Sequence, residues 1–334
     1  MKVTGGLERL NCPSREEFDA NFANLDKPVI LTGLTEAWPA THQWDLGYLD
    51  RRVGHVDVSY KISPTGSHPP LDETGVLGAP RESATLSEYL DRVWSLTAED
   101  DRCTFCLSGD DVFILDNWDR YHPELKVLLE DFEMPPYFDP ERLETIGFWV
   151  SPQGVRSHLH YDSNGQHNLN AQVSGEKQVW LFSPDQLARL YPYLATELQP
   201  FNFSKIDIDS PDTGRFPDFA DAACYFDTLR TGEVLFIPAY WFHSFKHVGA
   251  FNSNINFWWK PDRVPLSPTS VRSVFAYELL ELLVASDVEK LPQAIAGLSP
   301  EVLKSWQDIE RQIIVGKGVR NPADRDREEP AAVA

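Results

Sequence analysis

Short hydrophobic segments separated by turn residues occupy the middle of this 334-residue chain. Between residues 103 and 260 they read TIGFWVS, AQVSGEKQVWLF, GEVLFIP and SNINFWWK. Gly175 and Gly232 mark bends, and Pro238 closes a strand because proline cannot donate to a β-ladder. Several short strands at this spacing predict an all-β sandwich, jelly roll or barrel rather than parallel βαβ units.

Helical signals precede this β region. Ser14 and Glu17 have the spacing of a capping box and predict a short helix. The hydrophobic run KPVILTGL, residues 27–34, predicts a buried opening strand. Thr85 and Glu88 form a second capping box, ahead of apolar residues at helical spacing. We therefore expect N-terminal helices that flank the β core.

Two segments interrupt the regular pattern. Residues 61–83 are rich in Pro, Gly and Ser, which predicts a long surface loop that could form one edge of a peptide groove. Residues 184–194, PDQLARLYPYL, predict a helical insertion between strands.

Two amphipathic helices are predicted after the β region, and we expect them to bury their apolar stripes either on the parent domain or in a homodimer through residues 268–315. The last residues lack such a stripe and predict a flexible tail. The expected organisation is a flanking region over 1–102, a catalytic core over 103–262, the helical pair over 263–316 and the tail over 317–334.

The charge balance bears on partners. The chain has 30 Lys and Arg residues against 51 Asp and Glu residues, a formal net charge of −21. This sign disfavours surfaces that neutralise phosphates, so we expect neither a nucleic acid nor a membrane partner. The first residues carry no apolar run of signal-peptide length, and we expect a cytoplasmic protein.

The stretch SHLHYDSN, residues 157–164, is the strongest chemical signal. Side chains alternate along a strand, so His160 and Asp162 should project to one point. His243, at the end of GEVLFIPAYWFH, is the candidate third ligand. Taken alone, His160 and Asp162 could be a hydrogen-bonded surface pair, and His243 could be a satisfied core histidine. Two histidines and one carboxylate on one triangular face are typical of non-haem Fe(II) oxygenases.

These segments resemble the JmjC and cupin-type Fe(II)- and 2-oxoglutarate-dependent dioxygenases, most closely the factor-inhibiting asparaginyl hydroxylase branch. The resemblance is strongest in HLHYDSNGQHNLNAQVSGEKQVWLFSPDQLARLYPY and in GEVLFIPAYWFHSF with NINFWWK. It implies a mainly β fold with a double-stranded β-helix, or jelly-roll, core. It also implies that His160, Asp162 and His243 bind Fe(II).

The resemblance implies further roles around 2-oxoglutarate. Lys177 matches the lysine that pairs with its distal carboxylate, and Ser157 matches a threonine that also donates to the co-substrate. Asn168 and Asn256 match asparagines near its chelating end. Phe105 departs from the pattern, because a tyrosine is common there.

Two further departures surround the metal ligands. The segment from Asp162 to Asn168 is longer by two residues than the family pattern. His158 should share the face of His160 and Asp162, and we assign it to substrate contact or to support of the ligands. His167 and His247 are expected to be structural or pocket-edge residues.

The implied reaction is oxidative decarboxylation of 2-oxoglutarate to succinate and CO2 with O2, coupled to hydroxylation of a C–H bond. A protein or peptide side chain is the expected substrate, and a chromatin demethylase is disfavoured because four cysteines cannot build zinc-binding histone readers. The alternatives are a hydroxylase of a free amino acid or natural product, a metal cupin of another reaction type, and a non-catalytic binding module.

Overall fold

The structure is a computed structural model that describes residues 1–62, 67–68, 81–95, 105–106, 123–162, 165–193, 202–261 and 304. The strands are β1 Lys2–Gly5, β2 Arg9–Asn11, β3 Val29–Thr32, β4 Asp57–Ile62, β5 Ser67–His68, β6 Arg81–Thr85, β7 Phe105–Cys106, β8 Leu143–Pro152, β9 Arg156–Ser157, β10 His167–Ser174, β11 Lys177–Phe182, β12 Ala223–Leu229, β13 Val234–Ile237, β14 Phe242–His247 and β15 Phe251–Trp259.

The α-helices that the structure describes lie between residues 15 and 95. The α-helices are α1 Arg15–Asn21, α2 Pro39–Gln43, α3 Leu46–Val53 and α4 Leu86–Ser95. Short 3-10 helices cover Ala23–Leu25, Pro123–Asp131, Pro140–Arg142, Pro184–Leu190 and Pro217–Asp221. None of the helices within these ranges combines the length and the apolar character needed to cross a bilayer.

The strands form two large sheets and a small one. The first large sheet has the order β2-β3-β13-β10-β15-β8, and the second has the order β1-β12-β11-β14-β9-β5. A three-stranded sheet has the order β6-β4-β7. The mainly β prediction is confirmed, and two facing sheets with mostly antiparallel neighbours are the architecture expected of a jelly-roll core.

The first sheet buries both of its faces. Along β13, Val234 and Phe236 join the core beneath the N-terminal helices, whereas Leu235 and Ile237 join the core that includes residues of the second sheet. Because side chains alternate along a strand, a continuous apolar run is what two buried faces require. The helices therefore cover one side of the sheet and leave the other to the interior of the sandwich.

Both predicted capping boxes lie at helix starts. The Ser14 side chain accepts a hydrogen bond from the backbone N–H of Glu17 at the start of α1. At the start of α4, the Thr85 N–H donates to the Glu88 carboxylate at 2.9 Å and the Glu88 N–H donates to the Thr85 hydroxyl at 3.3 Å. These local bonds satisfy backbone donors that a helix start leaves without partners.

The predicted loop over 61–83 is wrong at its ends. β4 continues to residue 62, β5 covers 67–68 and β6 begins at residue 81. The ends pair with neighbouring strands, and this long-range pairing overrides the local turn composition. The rest of the loop, the helical pair over 263–316 and the tail over 317–334 lie outside the described residues, apart from residue 304.

The predicted helical insertion begins at Pro184, as a 3-10 helix. Gly175 forms the tight connection between β10 and β11, with a φ of +77°. A Cβ at this position would also collide with the backbone carbonyl oxygen of Phe251. A glycine is therefore needed here for both its backbone freedom and its lack of a side chain.

Gly175→Ala should lower the free energy of unfolding by at least about 1–2 kcal/mol, because alanine pays the left-handed penalty and meets a backbone atom. Urea unfolding measures this change. Gly214→Ala is the matched control, since a Cβ there meets only the Asp212 carboxylate at 3.3 Å. Equal stability of the two variants would contradict the strain argument.

Candidate metal centre

The structure brings His160, Asp162 and His243 together. The Oδ1 atom of Asp162 lies 3.8 Å from Nε2 of His160 and 3.7 Å from Nε2 of His243. One potential ligand atom from each residue lies within 4.8 Å of the other two. Two imidazole nitrogens and one carboxylate oxygen thus converge on one point, although His243 is far from the other two residues in sequence.

Backbone pairing places the two histidines side by side. His160 and His243 form an isolated antiparallel β-bridge, with N···O distances of 3.1 Å and 2.7 Å in its two hydrogen bonds. Residues paired across a bridge project their side chains to the same side. The bridge therefore aims both imidazoles at Asp162 without any loop adjustment.

Each imidazole is oriented by a backbone carbonyl. Nδ1 of His160 lies 2.7 Å from the carbonyl oxygen of His158, and Nδ1 of His243 lies 3.0 Å from that of Trp241. Because a carbonyl only accepts, Nδ1 carries the proton in both rings, which leaves the Nε2 lone pairs free for a metal. Burial is the main cause that lowers the pKa of His160, to about 3.

The Asp162 carboxylate is held by its second oxygen. Oδ2 accepts hydrogen bonds from Nδ2 of Asn168 and from Nε1 of Trp258, both at 2.9 Å. Burial by itself would raise the pKa of Asp162, but the two histidines and these two donors outweigh it and lower the pKa. The carboxylate therefore stays charged, with only Oδ1 facing the histidines.

A row of asparagines supports this arrangement. Asn254 donates to Oδ1 of Asn256 at 2.5 Å, and Asn256 donates to Oδ1 of Asn168 at 3.0 Å. Asn168 then donates to Asp162. Asn256 and Asn168 each accept from one neighbour and donate to the next, so buried polar groups along the row act as partners for one another.

Lys177 lies in the same cavity, completely buried. Its side chain is 1% exposed, and its ammonium donates to Oδ1 of Asn170 at 2.6 Å. The ammonium also lies 4.6 Å from the ring centroid of Phe245. Among the described residues it has no carboxylate partner within ion-pair distance, and burial lowers its pKa well below the ordinary value. The cavity therefore contains a buried cationic side chain, Lys177, whose charge a bound anion would compensate.

The other predicted co-substrate residues also line this cavity of about 80 Å³. The hydroxyl oxygen of Ser157 accepts a hydrogen bond from the backbone N–H of Phe245 at 2.8 Å, which leaves its proton available to a ligand. Asn168 and Asn256 contact the cavity through the asparagine row. The cavity is lined by Trp149, Val155, Ser157, His160, Asp162, Asn168, Asn170, Lys177, His243, Phe245, His247, Asn254, Asn256 and Trp258.

His158 does not join the three clustered side chains. A regular strand through residues 157–162 was predicted, but β9 ends at Ser157 and the chain bends at Leu159. The bend turns the imidazole of His158 away, and Nε2 lies 2.6 Å from the carbonyl oxygen of Ser204. His158 supports the site only through its own carbonyl, which orients His160.

The remaining histidines differ in their surroundings. His167 is buried on the opposite face of the sheet, where its Nδ1 accepts from the backbone N–H of Ala239 at 2.9 Å. His247 borders the cavity and bonds to the hydroxyl of Ser151. The side chain of Phe105 lies outside the described residues.

Sequence reasoning missed the roles of Asn170 and Asn254 in this site. The signal was present in NLNAQ and NSNIN, where polar residues recur at every second position of buried strands. Such a pattern places a line of polar groups on one interior face. The register supports this, because Asn170 lies opposite Asn256.

Comparison with known protein families agrees with this architecture. The Cupin-like domain family matches residues 14–263, about three quarters of the chain. The chain belongs to this family.

Individual relatives are similar over most of the chain. It is 33% identical to lysine-specific demethylase 8 of Danio rerio, over 78% of this chain and 59% of that protein. It is 29% identical to human tRNA wybutosine-synthesizing protein 5, over 76% of this chain and 78% of that protein. It is 28% identical to Jumonji C domain-containing protein 5 of Drosophila melanogaster, over 76% of this chain and 60% of that protein.

The chain thus spans 59% and 52% of the lengths of the two demethylase 8 relatives, from Danio rerio and Xenopus tropicalis.

The predicted kinship with JmjC-type oxygenases is confirmed at the level of the superfamily. The predicted cofactors Fe(II), 2-oxoglutarate and O2 are those of the JmjC relatives, and the cluster of His160, Asp162 and His243 fits the metal. These relatives do not single out the asparaginyl hydroxylase branch.

The buried His167 makes stability depend on pH. Burial lowers its pKa to about 3 from an ordinary 6.5, so below pH 6.5 the unfolded chain takes up a proton that the folded chain does not. The free energy of unfolding should therefore fall by about 2 kcal/mol between pH 6.5 and pH 5. At higher pH this contribution of His167 is fully retained. Urea unfolding across this range should show a shallower fall for His167→Asn, whose amide oxygen can still accept from Ala239. His42→Asn, at an exposed imidazole, controls for the loss of a histidine, and an unchanged slope in His167→Asn would contradict the assignment.

Proposed function

We propose that this chain is an Fe(II)- and 2-oxoglutarate-dependent oxygenase that hydroxylates a C–H bond, with a protein or peptide side chain as substrate and with release of succinate and CO2. One observation carries the proposal. The buried Lys177, without an acidic partner among the described residues, shares a cavity with His160, Asp162 and His243.

A buried ammonium without a counter-charge is costly to the fold, because desolvation is not repaid. The neutral amide of Asn170 and the face of Phe245 offset only part of this cost. The cost is recovered when a ligand brings a carboxylate to Lys177. A dicarboxylate that chelates the metal at its other end would supply this carboxylate, and a cupin of another reaction type would have no use for this lysine.

Different residues of the cavity would bind the metal and the co-substrate. His160, Asp162 and His243 would hold Fe(II), which supplies the oxidative chemistry when bound together with 2-oxoglutarate and O2. Lys177 and the hydroxyl of Ser157 would fix the far carboxylate of 2-oxoglutarate. Three protein ligands leave the other coordination positions open to co-substrate and O2.

The supporting residues fix the geometry. The carbonyls of His158 and Trp241 keep each imidazole in one tautomer, and Asn168 with Trp258 keeps Oδ2 of Asp162 occupied. Neutral imidazoles and a single forward carboxylate oxygen are the charge state and geometry that a divalent cation needs.

Names of the relatives bear on the substrate. Some are named lysine-specific demethylase 8, which supports a protein side chain as the site of oxidation. Others are named tRNA wybutosine-synthesizing protein 5, so the acidic composition does not by itself exclude a nucleic acid substrate. The asparaginyl hydroxylase branch, the hydroxylase outcome, the homodimer through 268–315 and the cytoplasmic location stay predictions.

The primary test is anaerobic titration with Fe(II) and 2-oxoglutarate, followed by admission of air. We expect a weak visible absorption band from the chelate and then succinate formation. Binding without succinate would favour the non-catalytic module, and absence of the band would contradict the proposal. Peptide libraries, tRNA and free amino acids are then compared by mass spectrometry for the gain of one oxygen atom or the loss of a methyl group.

Lys177→Met should weaken binding of 2-oxoglutarate to the Mn(II)-loaded protein by roughly tenfold to hundredfold, because a charge-assisted hydrogen bond is lost. The same change should not lower stability, since it removes a buried charge. Isothermal titration and urea unfolding measure the two quantities. Lys246→Met, at a partly exposed lysine, is the matched control. Unchanged affinity in Lys177→Met would refute the carboxylate role.

His160→Ala and Asp162→Ala should abolish both stoichiometric Co(II) binding and succinate formation, because each removes one of three ligands. His158→Ala should retain Co(II) binding, since only its backbone carbonyl contacts the site. Loss of metal from His158→Ala in a folded protein would show that its imidazole has a larger role than the structure gives it.

A further inference from the structure

Gly147 stands in the interior of β8, where glycine weakens a strand. Its φ is outside the left-handed region, so other residues could adopt this backbone. The neighbouring strand β15 pairs regularly at this point, with Asn256 opposite Gly147 and Trp258 opposite Thr145, and the register shifts only after Trp258. The backbone conformation therefore does not require glycine at this position. The requirement must be steric.

The missing side chain makes room for Trp258. A Cβ at Gly147 would lie 2.5 Å from Cζ3 and 2.9 Å from Cη2 of the Trp258 indole, which are both atoms of its six-membered ring. It would also lie 3.2 Å from Nε1 of Trp149. The Trp258 indole thus packs directly against Gly147. It is so close that a Cβ atom at position 147 would overlap with the ring.

This placement brings the other edge of the indole to Asp162. Nε1 of Trp258 donates to Oδ2 at 2.9 Å, beside the donor from Asn168. We propose that Gly147 is a positioning residue of the metal centre, which sets the Trp258 indole so that its N–H holds Oδ2 and leaves Oδ1 alone to face the histidines. This inference rests on the proposed function, because it takes Asp162 as a metal ligand.

Alanine at position 147 would push the indole off the strand and lengthen or break its bond to Asp162. The carboxylate would then lose one of its two Oδ2 donors and gain freedom to rotate. Loss of a hydrogen bond that orients a metal ligand typically costs tenfold to a hundredfold in metal affinity. A glycine that served packing alone would affect stability and leave metal affinity unchanged.

The test is Co(II) affinity, measured by isothermal titration and by visible absorption, in the wild type, Gly147→Ala, Trp258→Phe and the double variant. Gly147→Ala and Trp258→Phe should each weaken binding by roughly tenfold or more. The double variant should bind as Trp258→Phe does, because the smaller ring neither reaches Asp162 nor occupies the space of the added methyl. Gly214→Ala controls for a glycine-to-alanine change away from the site.

Wild-type affinity in Gly147→Ala would overturn the inference, and so would a further loss in the double variant equal to that of Gly147→Ala alone. Near-ultraviolet circular dichroism verifies folding. If Gly147→Ala does not fold, the double variant should regain the fold, and its failure to do so would also overturn the inference. A wild type that binds no Co(II) would instead refute the proposed function, so the two failures are distinguishable.

Discussion

A carboxylate in the interior of a β-sandwich is the constraint from which the site follows. The negative charge of Asp162 needs several favourable partners, because the desolvation cost of an isolated buried charge exceeds what any single contact contributes. Two donors hold one of its oxygens, and two imidazoles face the other. The asparagine row, the indole of Trp258 and the carbonyls behind the histidines all serve to keep that carboxylate charged and aimed.

Lys177 shows the opposite case, a buried charge that the described residues leave incompletely compensated. Proteins retain such groups at functional sites, where a ligand completes the electrostatics. The two charges differ in what they need: Asp162 is held by donors and lacks only a cation, whereas Lys177 lacks an anion. A metal ion and a dicarboxylate together would compensate both charges. We therefore interpret the cavity as one site rather than two.

The strand alternation that builds this site also divides the first sheet into two environments. On β10, Asn168 and Asn170 face the cavity, and His167 and Leu169 face the core under the helices. A shift of register by one residue would exchange the two sets. The position of the asparagine row and the apolar packing of the opposite face therefore depend on the same pairing.

The sequence by itself determined the mainly β class, both capping boxes, the turn at Gly175 and the three residues that cluster at the centre. Most of these follow from local patterns, because alternation, caps and left-handed turns involve residues close in sequence, whereas His243 was identified through the family resemblance. The strand ends within 61–83, the turn of the His158 side chain away from His160 and Asp162, and the space that Gly147 leaves for Trp258 were decided only by the tertiary structure. Each depends on a partner far along the chain, and strand pairing and close packing across such distances leave no local signal.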